Sequence, residues 1–320
     1  MISIVIPAFN EETGIEELYR RISAAAVDWG DSHELIIVDD GSRDRTLPLC
    51  QQIAAQDPRF KVISLTRNFG HQPAVTAGLD HATGDIVAVM DADLQDPPEV
   101  LRLFVDKIRE GYDVVYAVRT KRKEGPFKRI SYYLYYRILR RLATLDIPLD
   151  AGDFCVMRGE VVQTMNALPE RNRFVRGLRT WVGYRQTGLA YERQSRFAGE
   201  PKYTFRKLLK LALDGVINFS YQPLQFSLML GVGMGVFCLL LGFLILVQYF
   251  SDWTILGFNP RQTRGWTTLI FMILVCSAMQ LFCLGILGEY IGRLFEEVKR
   301  RPVYLVRQRI NVAESDFSRR

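Results

Sequence analysis

Two stretches of this 320-residue chain carry no charged side chain: Phe226 to Phe250, 25 residues, and Thr267 to Gly288, 22 residues. Crossing a bilayer core as a helix takes about 20 predominantly apolar residues, since every backbone polar group must be satisfied within the segment. A helix buried in a soluble core is the alternative, but two such stretches without one charge argue for a membrane protein with a large soluble part. Two spans put both flanking segments on one side. Arg293, Lys299, Arg300, Arg301, Arg307 and Arg309 follow the second stretch, and Lys202, Arg206, Lys207 and Lys210 precede the first, while only Arg261 and Arg264 lie between them. The positive-inside rule therefore places both ends in the cytoplasm, at the inner membrane. The net charge of +6 is concentrated beside these stretches, which favours anionic lipid over nucleic acid as partner.

The first 118 residues or so alternate short apolar runs with helical patterns. Strands are expected at Ile2–Ile6, Glu34–Val38, Phe60–Leu65, Asp85–Met90 and Tyr112–Val118, and helices near 11–26, 45–56, 72–82 and 98–110. This alternation implies an α/β fold with a mainly parallel sheet covered on both faces. The opening Met1–Ile6 lacks a basic leader and is cut off by Pro7, so it reads as a strand and not a signal peptide. Gly84 and Gly111 are expected as helix stops, and Pro97-Pro98 as a helix start. Beyond a basic loop (Arg119, Lys121, Arg122, Lys123), an apolar stripe over 127–145 with arginines and tyrosines around it suits a helix in the membrane interface, and 203–225 is a second amphipathic, juxtamembrane segment. Ordinary helices packed on the sheet would show the same periodicity. The expected organisation is a catalytic domain over 1–202, the juxtamembrane segment, a two-helix membrane region over 226–291 and a cytoplasmic tail over 292–320. Five scattered cysteines give neither a disulfide nor a zinc pattern.

Asp91-Ala92-Asp93 ends the apolar run Ile86–Met90, placing two carboxylates where a buried strand emerges. Ligands of open parallel sheets bind at the carboxyl ends of strands, and Mg²⁺ is commonly held by one or two carboxylates plus substrate phosphates. Two further strand ends, Pro7-Ala8-Phe9-Asn10-Glu11-Glu12 and Asp39-Asp40-Gly41-Ser42, bring polar groups to the same level. Asn10 and Ser42 are expected as helix caps, and Glu11 and Glu12 can complement a helix dipole. Asp39 is placed to accept hydrogen bonds from a ribose or base. Arg173, Phe174, Arg176 and Trp181 form another cluster on a helix, where Trp181 either walls an acceptor site or simply packs. Gly231 and Gly235 have the spacing that lets membrane helices approach closely, within one chain or in a homo-oligomer.

Ser3 to Glu12, Ile37-Val38-Asp39-Asp40-Gly41-Ser42 and Met90 to Pro98 together resemble the inverting family 2 glycosyltransferases with a GT-A fold. Arg67-Asn68-Phe69-Gly70-His71-Gln72, Ala151-Gly152-Asp153-Phe154 and Arg196 to Tyr203 resemble in particular the polyprenyl-phosphate glycosyltransferases, bactoprenol glucosyltransferases above all, with dolichol-phosphate mannosyltransferases as relatives. The resemblance implies a nucleoside pocket lined by Pro7, Phe9, Glu11 and Asp39. It puts Asp91 at the ribose and diphosphate, and Asp93 on the Mg²⁺ or Mn²⁺ that holds the diphosphate. Gln95 would approach the donor sugar or the metal shell, and Arg119, Arg122, Arg196 and Lys202 would gather phosphate charge. Cys155 departs from the family's Gly-Asp-Phe-Arg pattern and removes one expected phosphate or sugar contact.

Transfer to a lipid phosphate needs stabilisation of the leaving nucleoside diphosphate and cations that bring two anions together. A phosphate monoester, with a second pKa of about 6, is largely ionised at neutral pH and attacks without a strong general base. Asp153 either orients acceptor or sugar, or belongs to a structural turn. The spacing around Arg179 and Trp181 lacks the Gln-x-x-Arg-Trp of processive synthases, and two spans are few for a polymer pore, so single-sugar transfer is expected. The substrates implied are UDP-glucose and undecaprenyl phosphate, with a glycolipid flippase as pathway partner. GDP-mannose, dolichyl phosphate or an aminosugar donor stay open within the class, and a non-catalytic membrane scaffold outside it.

Overall fold

The computed structural model describes residues 1–120, 151–171, 173–192, 222–251 and 265–312. The interface segment 127–145, most of the juxtamembrane segment, and Arg122, Arg196 and Lys202 lie outside the described residues.

Eight strands form one mixed sheet in the order β7-β5-β6-β4-β1-β2-β3-β8. They are β1 (Ile2–Ala8), β2 (His33–Asp39), β3 (Phe60–Leu65), β4 (Ile86–Val89), β5 (Val114–Thr120), β6 (Ala151–Arg158), β7 (Gln186–Glu192) and β8 (Val306–Ile310). The central β4-β1-β2-β3 block is parallel, as the alternating sequence implies; β6 is antiparallel to both β4 and β5, and β8 to β3. Strand β1 is buried along its whole length, so its near-continuous apolar run is what a strand covered on both faces requires. Alternate residues feed two cores. Ile2, Ile4 and Ile6 pack with helices α1 (Ile15–Ala26), α2 (Thr46–Gln56) and α4 (Leu101–Arg109). Val5, Val87, Val89, Cys155 and Met157 pack with α3 (His71–His81), α5 (Gly159–Ala167) and α6 (Val175–Trp181). Each fully buried Ile or Val contributes about 1.5–3 kcal/mol.

The five expected strands and four expected helices are present, with ends shifted by a few residues. The helix expected from 98 begins as a 3₁₀ turn, Pro98–Val100, before α4. Gly111, with φ of +102°, follows α4 as expected. Gly84 has a different role: α3 ends at His81, and a Cβ at position 84 would lie 2.7 Å from Ser3 Oγ and 2.8 Å from Met1 O, so the glycine lets the chain pass against β1.

The segment expected as a tail over 292–320 does not behave as one. The second apolar helix runs on to Val298, and β8 then closes the sheet edge beyond β3. Tyr304 Oη donates to Asp80 Oδ2 (2.8 Å), and Asn311 Nδ2 donates to the carbonyls of Ala54 (2.7 Å) and Phe60 (3.0 Å). The chain accordingly divides into two compact units, Met1–Gly215 with Arg300–Arg320, and Val216–Lys299. In the second unit, α7 (Gln222–Ser251) and α8 (Trp266–Val298) are each long and apolar enough to cross a membrane. Cys283 Sγ in the second half of α8 donates to Ser227 O near the start of α7 (3.7 Å).

Candidate active site

The crevice is set by the strand order. After β1 the chain passes to β2 and β3 on one side; β4 then returns on the other side of β1, so the β1 and β4 loops diverge at their carboxyl ends. Ligands of open α/β sheets bind at such a switch point. The β1 loop carries Phe9, Asn10 and Glu11, and the β4 loop carries Asp91, Asp93 and Gln95.

The two loops beside β1 and β2 are laced together. Asn10 N donates to Ser42 Oγ (3.0 Å), Arg43 N to Asn10 Oδ1 (2.8 Å), and Glu11 N to Thr46 Oγ1 (2.9 Å). The capping role expected for Asn10 and Ser42 is thus corrected: α1 starts after Gly14 and α2 after Arg45, neither with a side-chain cap. Asn10 adopts a φ of +54°, a region that Asn enters more readily than most residues, and its amide oxygen is held there by Arg43 N of the neighbouring loop. Pro7 is buried in β1, Phe9 and Glu11 are half-buried, and Asp39 ends β2. Asp39 is 1% exposed and accepts from Ser42 N (3.0 Å) and Ser64 Oγ (3.0 Å), so both oxygens are already oriented by protein donors.

Asp40, given no role from the sequence, accepts from Phe69 N (2.7 Å) and Gly70 N (2.9 Å) and fixes the loop that begins α3. Burial raises its pKa, and the two amide bonds only partly offset that. Gly41 makes this approach feasible: its φ is +68°, and a Cβ there would lie 2.5 Å from the Arg67 carbonyl carbon.

His71 opens α3 and meets Asp91, with Nε2 2.9 Å from Oδ1. Burial disfavours its charged form, but the hydrogen bond and charge of Asp91 outweigh that and push its pKa up to about 9. Asp93 Oδ1 accepts from Gln95 N (3.1 Å), closing a tight turn in which Leu94 is 2% exposed with φ of +56°. That conformation costs a leucine about 1 kcal/mol, and such strain concentrates at functional loops.

Asp153 is not in a turn; it lies within β6 and accepts from Arg176 Nε (2.6 Å) and Nη2 (2.8 Å) on α6. Its carboxyl is held well below the ordinary range: burial opposes ionisation, but the charge and hydrogen bonds of Arg176, then the charges of His71 and Arg179, prevail. His71 also feels Asp153 and Arg176, so Asp91, His71, Asp153 and Arg176 form one electrostatically linked row. Trp181 ends α6 and is 55% exposed, which excludes ordinary core packing for it. Arg119 lies in β5 opposite Tyr191 of β7.

Among the described residues no group of three His, Cys, Asp or Glu side chains is arranged to hold a metal. The donor set still fits a hard divalent cation that shares its coordination with a diphosphate and water, for which one or two carboxylates suffice.

The family 2 glycosyl transferase model matches residues 3–165. An uncharacterized glycosyltransferase of Bacillus subtilis, YkcC, is 45% identical over 308 residues, 96% of this chain and 93% of that protein. This chain belongs to glycosyl transferase family 2. The bactoprenol glucosyl transferase of Shigella phage SfX is 38% identical over 309 residues, 96% of this chain and 99% of that one. The crystal structure of glucosyl-3-phosphoglycerate synthase from Mycobacterium tuberculosis, with Mn²⁺, UDP-glucose and phosphoglyceric acid, covers 68% of this chain and 77% of its own at 23% identity and a TM-score of 0.44. The mostly parallel sheet with its polar switch-point crevice is the GT-A arrangement expected of a family 2 member.

The sequence motifs around Asp39, Asp91 and Asp153 thus converge on one end of the sheet. Sequence reasoning gave no role to Asp40, His71 or Arg179. His71 lies in the Arg67–Gln72 motif and begins a helix just after a strand-end loop, which is a usable signal; Arg179 has none, since its neighbours Tyr116 and Cys155 come from β5 and β6.

Proposed function

We propose that this chain transfers a single hexose, glucose, from UDP-glucose to undecaprenyl phosphate at the cytoplasmic face of the inner membrane, inverting the anomeric carbon. The observation that carries this reading is that one chain has both a family 2 crevice and two helices apolar enough for a bilayer, and is 38–39% identical over 96% of its length to bactoprenol glucosyl transferases. A lipid phosphate acceptor suits such a chain, since its tail requires hydrocarbon.

In this reading the β1 and β2 loops hold the nucleoside between Pro7, Phe9, Glu11 and Asp39. Asp91 and Asp93 would hold Mg²⁺ or Mn²⁺ against the diphosphate, and the ion would neutralise charge on the leaving group. His71 fixes the Asp91 carboxylate, and Gln95 lies at the turn set by Asp93. Arg176, anchored by Asp153, presents positive charge to a phosphate, and Arg119, Arg122, Arg196 and Lys202 would add positive charge for the donor and lipid phosphates. The acceptor phosphate, already ionised, attacks the anomeric carbon from the face opposite the diphosphate. The carbon–oxygen bond to the diphosphate breaks as the bond to the lipid phosphate forms.

The full-length protein in detergent, given undecaprenyl phosphate, Mg²⁺ and radiolabelled UDP-glucose, should move label into the organic phase, with far less from GDP-mannose or UDP-N-acetylglucosamine. Nucleotide binding without lipid labelling from any of the three donors would reassign the chain to a non-catalytic membrane role. Preferential labelling from GDP-mannose would keep the reaction and change the donor.

A further inference from the structure

Among the described residues Arg179 is the largest fully buried side chain, 1% exposed, and its Nε, Nη1 and Nη2 meet no oxygen or nitrogen acceptor there, only the thiol of Cys155, a weak partner. Its guanidinium carbon is 5.4 Å from the ring centroid of Tyr116, an attraction that fills none of the N–H donors. A buried charge without a counter-ion remains costly even after relaxation, so a position serving only packing would be better filled by an apolar side chain. Three placements say what the charge serves. Arg179 is three residues after Arg176 on α6, hence on the same helix face. Asp153 and Cys155 are alternate residues of β6, facing the same core, and both lie within the field of Arg179. Tyr116 and Cys155 are register partners across β5 and β6. Arg179 therefore sits beneath the Asp153–Arg176 pair, over a strand position where a small thiol leaves room for it.

We propose that Arg179 is a positioning residue of the transfer site, supplying from α6 a second guanidinium to Asp153 so that Arg176 is not neutralised by its anchor and keeps charge for a substrate phosphate. Two guanidinia around one carboxylate leave one positive charge in the triad, and the complementary ligand is a phosphate oxyanion. That oxyanion comes from either the donor diphosphate or the acceptor lipid phosphate. Cys155 on β6 and Arg179 on α6 meet in the same core, so a guanidinium introduced at 155 in a chain without Arg179 would face the same carboxylate from the strand side.

This inference rests on the proposed transfer reaction, and its test reads binding as well as turnover. Full-length wild type, Arg179→Met, Arg179→Lys and the exchange Cys155→Arg/Arg179→Val are compared for thermal midpoint, kcat and KM for transfer, and equilibrium binding of UDP and of a short-chain prenyl phosphate. Arg179→Met should lower kcat/KM by about ten- to a hundredfold and weaken one of the two ligands by about tenfold, while the thermal midpoint stays or rises because an unpaired buried charge is gone. The ligand that weakens names the phosphate. Arg179→Lys should regain part of the loss, and the exchange should regain at least tenfold over Arg179→Met. Unchanged binding of both ligands, or a lower midpoint with unaltered KM and no recovery in the exchange, would overturn the role. Should wild type transfer no sugar, the transfer reading fails by itself, and the two binding comparisons still decide for or against Arg179.

Discussion

At the amino ends of β1, β2 and β3, Glu34 accepts hydrogen bonds from Ser3 Oγ, from Lys61 Nζ, and from Thr83 N and Oγ1, both at 3.0 Å. At the opposite end of the sheet, Asp91 pairs with His71 and Asp153 with Arg176, yet the guanidinium of Arg179 beneath them meets no oxygen or nitrogen acceptor among the described residues. Both ends bury charge, with opposite completeness. A closed network specifies the fold, since each donor meets an acceptor and nothing is left for a ligand. An incomplete one holds electrostatic free energy that a charged substrate can release. The carboxylates follow this division: bonds from Lys61, Ser3 and Thr83 overcome burial to hold Glu34 below its ordinary range, whereas burial holds Asp40 above its own.

The widest separation of the two ends should come from Asp93→Ala. It removes a proposed ligand of the diphosphate-bound cation from a half-buried turn, so transfer should fall by at least about a thousandfold, roughly 4 kcal/mol of transition-state stabilisation. The thermal midpoint should barely move. Turnover near wild type with the metal present would remove the carboxylate from the site. Glu34→Ala should do the reverse. Leaving Lys61 and the Ser3 and Thr83 donors without their acceptor should cost about 3–5 kcal/mol of stability, read by denaturant unfolding in detergent, while kcat/KM per folded molecule stays as in wild type. Reduced activity at intact stability would show that the amino end also serves the reaction.

The same division governs what could be read from the sequence. The parallel block was legible because β1 to β4 are short apolar runs bounded by glycines, aspartates and prolines, and such runs are strands covered on both faces. Asp91 and Asp93 were legible because a strand end puts them in a crevice whatever their partners are. Strand β8 was not legible: Val306-Arg307-Gln308-Arg309-Ile310 carries two arginines and reads as a basic tail until it pairs with β3, more than 240 residues earlier in the chain. For Asp153 the sequence leaves an orienting role and a structural turn both open; its place in a strand is fixed by register with β4 and β5, a tertiary fact. The pairing of Arg179 with Cys155 was hidden for the same reason, as α6 meets β6 only in the folded chain.

The smallest expected effect sharpens the contrast through pH. Asp57, at the amino end of β3, accepts from Arg59 Nε (3.0 Å) and Nη2 (2.9 Å), from Arg59 N (2.9 Å) and from Tyr19 Oη (3.0 Å). The Arg59 side-chain bonds, against the opposing effect of burial, lower its pKa to about 2. A carboxylate depressed in the folded state gives stability that is fully present above its unfolded pKa, about 3.9, and is lost as pH falls through about 2. Because the Arg59 side chain is 57% exposed, solvent screening limits the contribution to about 1 kcal/mol. Asp57→Asn should therefore unfold earlier than wild type at pH 7 by that amount, and the gap should close as the pH approaches 2. Asp40 acts with the opposite sign. Its raised pKa makes the folded state bind the proton more tightly, so between its unfolded and folded values stability increases on acidification, and Asp40→Asn should flatten that rise. Unfolding midpoints followed from pH 7 to pH 2 separate the two; a gap between wild type and Asp57→Asn that stays constant over this range would mean that Asp57 acts through its neutral hydrogen bonds and not through its charge.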